Sequence, residues 1–528
     1  MVKRLVLIAA LLLAPWTAQA QFITLDEFLG PAGDAYWHLE KELRGAVDEF
    51  DDIDRRIDAK WAECSDNAPL PGNQRNVIRW RFLFERNNQG KSLEHAVQVW
   101  SCWDPEPEPE PEPLPGPNPP RVGPVSLDGY MFVDSNGPFK GFGATCMWCL
   151  WGEKFDRTRL LQSMDYLSIR GVNYLRILTV VDGDYWNGKK IDPSWSDYFA
   201  QLDQLFADAT ARNMYLDVVL FGDTKEYLTQ QQQRIDWVNQ MAGYLERHRN
   251  RILFVEIANE STGIGIDDRD LAELTDTWRR ASTIQVAASA PYDDPSRAPL
   301  TGIESFFDDY SDVEVDLLTP HLDRDIREER YRPARQPWHP QFFEHVPTHT
   351  WVNDEPIGCG SSVESECDPG RIVAAFINTF AAKGAGYTWH TSAGVRGDVN
   401  YWDQDNAEEQ LLAIRNMMRL LPGNIANGQN CNHHWACHPY EDFDQVWPEF
   451  GGSGVVRAFA IESGGQWYVM VIGMRGSYEV AAKRPMGVEV FDAVSGARID
   501  TLELAAGQRH TFQQVGGSRD YVHRITPR

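Results

Sequence analysis

Positive charge is scarce in this 528-residue chain: 50 Lys and Arg stand against 77 Asp and Glu, a net charge of −27. That shortage argues against a nucleic-acid binder, which holds phosphates with stripes of Lys and Arg. It also argues against a strongly anionic polymer as substrate. No Gly-x-Gly-x-x-Gly follows the first apolar run of the main domain and no phosphate loop occurs, so the usual nucleotide cradles are missing. Beyond Leu13 no apolar run reaches the roughly 20 residues needed to span a bilayer. Nor is the chain short of apolar residues, at 42% hydrophobic and 24% charged, which is the composition of a globular protein. What it has in excess is tryptophan, with 19. Proteins that stack on sugars or other flat partners use such rings.

Met1 to Ala20 reads as a secretory signal. Lys3 and Arg4 form a basic start, Leu5–Leu13 an apolar stretch, and Ala18-Gln19-Ala20 a small-x-small cleavage site. The expectation is a secreted or periplasmic protein with no membrane insertion. All eight cysteines follow this segment: Cys64, Cys102, Cys146, Cys149, Cys359, Cys367, Cys431 and Cys437. An even count in an oxidising compartment points to disulfides. Their order suggests the local pairs 64–102, 146–149, 359–367 and 431–437, although spacing does not settle connectivity. Cys146-Met-Trp-Cys149 has the spacing of a redox motif, but no thioredoxin-like context surrounds it.

Composition divides the rest. Residues 21–103 read as a small helical module stapled by Cys64 and Cys102. Its Trp37, Trp61, Trp80, Trp100 and Trp103 are core residues or a surface for a polymer or cell-surface partner. Residues 104–120 alternate Pro and Glu, a stiff polyproline linker able to reach about 50 Å. Residues 121–438 alternate eight short apolar runs with amphipathic stretches. The runs are 139–144, 174–181, 215–221, 252–258, 283–288, 315–319, 350–353 and 385–389. Helices are expected at 157–170, 196–212, 234–249, 268–280 and 371–383. Eight buried strands alternating with helices predict an α/β fold, a (β/α)8 TIM barrel, with a doubly wound sheet as the alternative. Residues 439–528 carry short β-like runs between Gly-rich turns and predict a small C-terminal β-sandwich.

Barrel active sites lie at the C-terminal ends of the strands. The fourth run ends in Asn259-Glu260 and the seventh in Asp354-Glu355. Two facing carboxyls suit glycoside hydrolysis, in which one is protonated to assist the leaving oxygen and the other attacks the anomeric carbon. One Glu at a strand end is commonplace in an acidic protein; two, on strands four and seven, are harder to dismiss as solvated loop residues.

These residues resemble the clan of retaining (β/α)8 glycosidases that includes the family 5 cellulases and β-mannanases, over about 300 residues. The resemblance implies that Glu260 is the general acid/base, Glu355 the nucleophile, and Asn259 a ligand of the sugar 2-hydroxyl. It further implies that Arg176 supports the nucleophile, that Trp389 is the platform beneath the reacting sugar, and that His321 is the His of the family's His-x-Tyr element. The chain departs from that element, since Asp323 stands where the Tyr would be. Retention implies carboxyls about 5–5.5 Å apart. Trp148, Trp151, Trp186, Trp195, Tyr227 and Trp402 lie in or near strand-end loops, and Trp148, Trp186 and Trp402 are taken as substrate contacts. The expected substrate is a β-linked polysaccharide such as β-mannan or β-1,4-glucan, with a bacterial exopolysaccharide, a non-catalytic carbohydrate-binding role or an adhesin as alternatives.

The chemistry calls for no cofactor and no metal. Two weaker patterns carry metal-like spacing. Cys431, His433, His434, Cys437 and His438 suit zinc but equally a disulfide with exposed histidines. The acidic loop Glu364, Glu366, Asp368 suits calcium but equally a solvated loop.

Overall fold

The computed structural model describes residues 121–289, 313–321, 349–360, 365–430, 450–451, 458–473, 477–514 and 520–528, with Asp54 and Arg55 before them. Apart from Asp54 and Arg55, the expected helical module and linker, and Cys64, Cys102, Asp323, Glu364, Cys431, His433, His434, Cys437 and His438, therefore lie outside the described residues.

The main domain opens with a small antiparallel sheet, β1 (Ser126–Asp128), β2 (Met131–Asp134) and β3 (Gly137–Phe139). Eight parallel strands follow: β4 (Gly141–Thr145), β5 (Tyr174–Leu178), β6 (Tyr215–Phe221), β7 (Ile252–Ala258), β8 (Val286–Ser289), β9 (Leu317–Leu318), β10 (Thr350–Asn353) and β11 (Gly384–Trp389). Their spatial order runs β8-β7-β6-β5-β4-β11-β10-β9. The Asp316 amide donates to the Val286 carbonyl at 2.9 Å and draws the two ends of that order together. This is the expected (β/α)8 barrel, and all eight runs legible in the sequence are its strands.

The helices are α1 (Cys149–Phe155), α2 (Arg157–Ser168), α3 (Tyr198–Ala211), α4 (Gln231–Leu245), α5 (Asp268–Ala281), α6 (Pro369–Ala381) and α7 (Ala407–Leu420). Local signals start several of them. Asp267 accepts from the Asp270 amide to cap α5, while Asp368 accepts from Gly370 and Arg371 to cap α6, with Pro369 in its first turn.

The strand period of two sorts the side chains. Leu175, Ile177, Leu216, Val218, Val255 and Ile257 belong to the large cluster shared with the helices. Tyr174, Tyr215, Phe254, Leu317, Val352 and Ala385 form a separate cluster inside the barrel with Phe132 and Phe139. The small first sheet is thus the plug at the N-terminal end, with Phe132 5.9 Å from Phe139 and 6.2 Å from Phe254. Such a floor leaves the opposite end for chemistry.

The C-terminal region folds into two antiparallel sheets. One holds β12 (Gln429–Asn430), β14 (Ala458–Ser463), β15 (Gln466–Val471), β20 (Tyr521–Pro527), β17 (Met486–Asp492) and β18 (Arg498–Leu504); the other holds β13 (Phe450–Gly451), β16 (Ser477–Ala482) and β19 (Arg509–Gln513). Among the described residues no helix is long and apolar enough to cross a membrane.

Candidate active site

Arg176 stands at the centre of the barrel mouth, fully buried on β5, which is the second barrel strand. Its Nη1 donates to Glu355 Oε1 at 2.7 Å and its Nη2 to Asn259 Oδ1 at 2.8 Å. The Nε–Nη2 edge faces Glu256, with contacts of 3.1–3.3 Å. Asp354 Oδ2 lies 3.1 Å from Nη2 and Asp217 Oδ2 3.9 Å from Nε. Burial alone would weaken the guanidinium's hold on its proton, but the surrounding carboxylates, Glu256 foremost, drive its pKa well above the ordinary value.

Glu260 follows β7, the fourth barrel strand, and has φ +47°, a left-handed backbone rarely adopted by a residue with a side chain. Such strain is held only where the surroundings enforce it, and it clusters at functional sites. Ser261–Ile264 turns immediately into a short 3-10 helix, and the Gly263 amide donates back to the Glu260 carbonyl at 2.8 Å.

His321 joins the two sides. Its Nδ1 lies 2.9 Å from Glu260 Oε1, and its Nε2 is 3.5 Å from both Glu355 Oε1 and Asp354 Oδ2. One oxygen from each of Glu260 and Glu355 and one nitrogen of His321 all lie within 4.8 Å of one another. Burial would lower the imidazole's pKa, yet Glu355 and Asp354 outweigh it and push the value up to about 10. His321 is therefore an imidazolium at neutral pH. Glu260, His321 and Glu355 have the spacing of a three-ligand metal site, and equally that of an ion-paired trio centred on His321. A second trio, Cys359, Cys367 and Asp405, has both sulfurs committed to a disulfide.

Below this layer the barrel keeps more acids than one cation can balance. Asp217 and Glu256 are fully buried, and burial pushes both carboxyls up, Glu256 to about 8 despite Arg176. Asp217, Glu256 and Asp354 do not figure among the sequence-derived candidates, although a signal exists. Each is a charged residue inside or at the end of an otherwise apolar strand, on the inward parity set by Tyr215, Phe254 and Val352.

Arg176, Asn259, Glu260, His321 and Glu355 thus converge at one mouth. Of the aromatic candidates, Trp389, Trp148 and Trp402 do not join them. Trp389 is wholly buried and turned outward, its indole donating to Gln410 Oε1 of α7 at 2.8 Å. The reason is parity: Thr388 meets Tyr174 inside the barrel and His390 meets Thr145 of β4, so the residue between them faces the helices. Trp148 is also buried, donating to the Ala393 carbonyl at 2.9 Å with Gly152 and Gly397 against its ring. Trp402 is 39% exposed but packs edge-on against Tyr166. α2 descends from the mouth and Tyr166 lies near its far end, so Trp402 sits on the outer wall. Trp186 lies in the loop after the second barrel strand with its indole nitrogen 3.4 Å from Asp223 Oδ2, and only its edge reaches solvent. Trp151 and Trp195 flank the exposed Phe155, with Lys189 and Lys154 over their rings.

Disulfides Cys146–Cys149 and Cys359–Cys367 are formed, each in a loop just past a barrel strand. In the acidic loop, Glu366 is buried against Arg371, while Asp368 caps α6 with its side chain still exposed.

No protein-family model matches the chain, and no curated protein matches it in sequence. Solved structures do match its fold. A glycoside hydrolase family 5 protein from Bacteroides vulgatus aligns at TM-score 0.52 and 14% identity, over 77% of this chain and 94% of its own. A second structure described as a glycoside hydrolase aligns at TM-score 0.50 and 14% identity, over 77% and 97%. At such identity the likeness establishes a shared fold.

Proposed function

We propose that the protein is a retaining glycoside hydrolase acting on a β-linked polysaccharide outside the cytoplasm. The observation that carries the reading is the pair Glu260 and Glu355, from the fourth and seventh strands of the barrel, with carboxylate oxygens within 4.8 Å of each other. Oxygens this near suit the carboxyl spacing of about 5–5.5 Å in retaining enzymes better than the wider gap that inversion needs for its water.

Glu355 attacks the anomeric carbon while Glu260 protonates the departing oxygen. Water, deprotonated by Glu260, then releases the sugar from the glycosyl ester. Arg176 Nη1 aims one oxygen of Glu355, leaving the other for attack. Asn259 gives its amide oxygen to Arg176, which turns its NH2 away from the guanidinium and toward a sugar hydroxyl. His321, whose Nε2 lies 3.5 Å from Glu355 Oε1, sets a positive charge beside the nucleophile. β-Mannan and β-1,4-glucan are the first candidates, and the module before the Pro/Glu linker would hold a polymer or surface partner.

The test is reducing-sugar release from mannan, glucomannan, carboxymethylcellulose, mixed-linkage glucan, xylan and bacterial exopolysaccharides, by the wild type and Glu355→Ala. Release by the wild type alone supports the reading, and proton NMR of the first product then reports the anomer. An inverted anomer would overturn retention. Silence from both proteins, with retardation in affinity gels containing the same polymers, would make it a carbohydrate-binding protein.

A further inference from the structure

Arg176 can support Glu355 only if its guanidinium holds one orientation, and neither Glu355 nor Asn259 fixes that orientation by itself. Both are loop residues just past the strand ends, and each takes a single hydrogen bond from it. The groups that face the guanidinium from the rigid strands are Glu256 on β7 and Asp217 on β6, both fully buried and both on the inward parity. Glu256 lies along the whole Nε–Nη2 edge, with Oε2 at 3.3 Å from Nε and both oxygens at 3.1–3.2 Å from Nη2. A two-point contact of this kind fixes a planar cation in rotation as well as position, which one hydrogen bond does not.

We propose that Glu256 and Asp217, neither of which reaches a substrate, are positioning residues: they form the seat that keeps the Arg176 guanidinium aimed at Glu355 and Asn259. The inference rests on the glycosidase reading above and deepens it by one layer. With the Nε–Nη2 edge seated, Nη1 is the donor left over, and it points at the proposed nucleophile. Asp217 completes the seat from the side, 3.9 Å from Nε, with neither carboxylate oxygen in a hydrogen bond. Burial pushes the Asp217 carboxyl well above the ordinary carboxylate range, which weakens its competition with Glu355 for the cation, while its side chain fills the space beneath Nε. The arrangement also explains why charged residues interrupt three neighbouring apolar strands. The register sets Arg176 beside Asp217, and Glu256 one inward position further along the next strand, beside Val219.

Glu256→Ala, Glu256→Gln and Asp217→Ala in the full chain test the proposal, first by crystallography. In Glu256→Ala the guanidinium should rotate and its Nη1 should leave Glu355; Glu256→Gln, which keeps one acceptor, should retain the contact. This readout does not depend on activity, so it stands even if no tested glycan is hydrolysed and the glycosidase reading falls. Nη1 still within hydrogen-bond reach of Glu355 in Glu256→Ala would overturn the seat. The second readout is kinetic, on whichever polymer the wild type cleaves. Displacing a catalytic group by about 1 Å costs on the order of 10²-fold, so kcat should fall about that far in Glu256→Ala with KM nearly unmoved, and Glu256→Gln should recover part of it. Loss of melting temperature with kcat unchanged would mean that Glu256 only stabilises the barrel. If Glu256→Ala does not fold, Asp217→Ala, which empties the space beneath Nε that a Leu of like volume keeps filled, carries the same two readouts.

Discussion

The charge on His321 offers a quantitative check of the site. Glu355→Gln removes one negative charge 3.5 Å from the imidazole Nε2 while keeping the shape of the side chain. At an effective dielectric of about 20, two unit charges at that distance attract by about 5 kcal/mol. A tenfold change in proton affinity corresponds to about 1.4 kcal/mol. Asp354 at 3.5 Å and Glu260 at 2.9 Å remain. The His321 titration should therefore fall from about 10 to the neighbourhood of 7. The measurement is a pH titration of 13C-labelled histidine by NMR, with the signal assigned by its loss in His321→Gln. A midpoint still above 9 would refute the claim that Glu355 is a main source of the shift. The same shift has a consequence for stability. The folded value exceeds the unfolded 6.5, so the gain from this group is complete below pH 6.5 and disappears as pH rises through about 10. For a fully buried group the gain amounts to about 5 kcal/mol. Thermal unfolding of the wild type should weaken across that alkaline window, and in Glu355→Gln the His321 part of that loss should shrink to little.

Three further outcomes follow from single sites. Glu260→Gly relieves the left-handed backbone at φ +47° and should add about 1 kcal/mol of stability while abolishing turnover; calorimetry and assay together report both. Gly358→Ala would place a Cβ 1.6 Å from the His390 carbonyl oxygen, which is backbone and cannot swing aside. It should cost more than about 3 kcal/mol in urea unfolding and weaken activity, because the strain falls three residues after Glu355. Opening Cys359–Cys367 with paired Ser substitutions frees a loop of sequence separation 8. Chain entropy puts the loss at about 2.5 kcal/mol, readable as a lower urea midpoint, and an unchanged midpoint would show that packing alone holds the loop.

The barrel was readable because its strands are buried on both sides and flanked by amphipathic helices, so each appears as a short apolar run. The runs at 215–221, 252–258 and 350–353 coincide with β6, β7 and β10 to the residue. The plug was harder to see. Ser126–Phe139 is three very short strands, and only the closed barrel explains why Phe132 and Phe139 belong inside it. β16 and β20 leave no hairpin signal in the sequence, because Ser477–Ala482 and Tyr521–Pro527 pair with strands distant in the chain.

What the sequence determined by itself was periodicity and local chemistry: eight strands, their helices, and a carboxylate just past the fourth and seventh. These are local properties, written in the spacing of apolar residues and in the residues that end a run. The tertiary structure decided facing. Trp389 and Trp148 look like platforms in a linear reading and turn into the packing, because a strand alternates its faces and Thr388 and His390 already claim the inner one. Conversely, Asp217, Glu256 and Asp354 come from three different strands and surround Arg176 only because barrel closure brings those strands to one axis. No single segment contains that meeting, and the raised pKa of Arg176 depends on it.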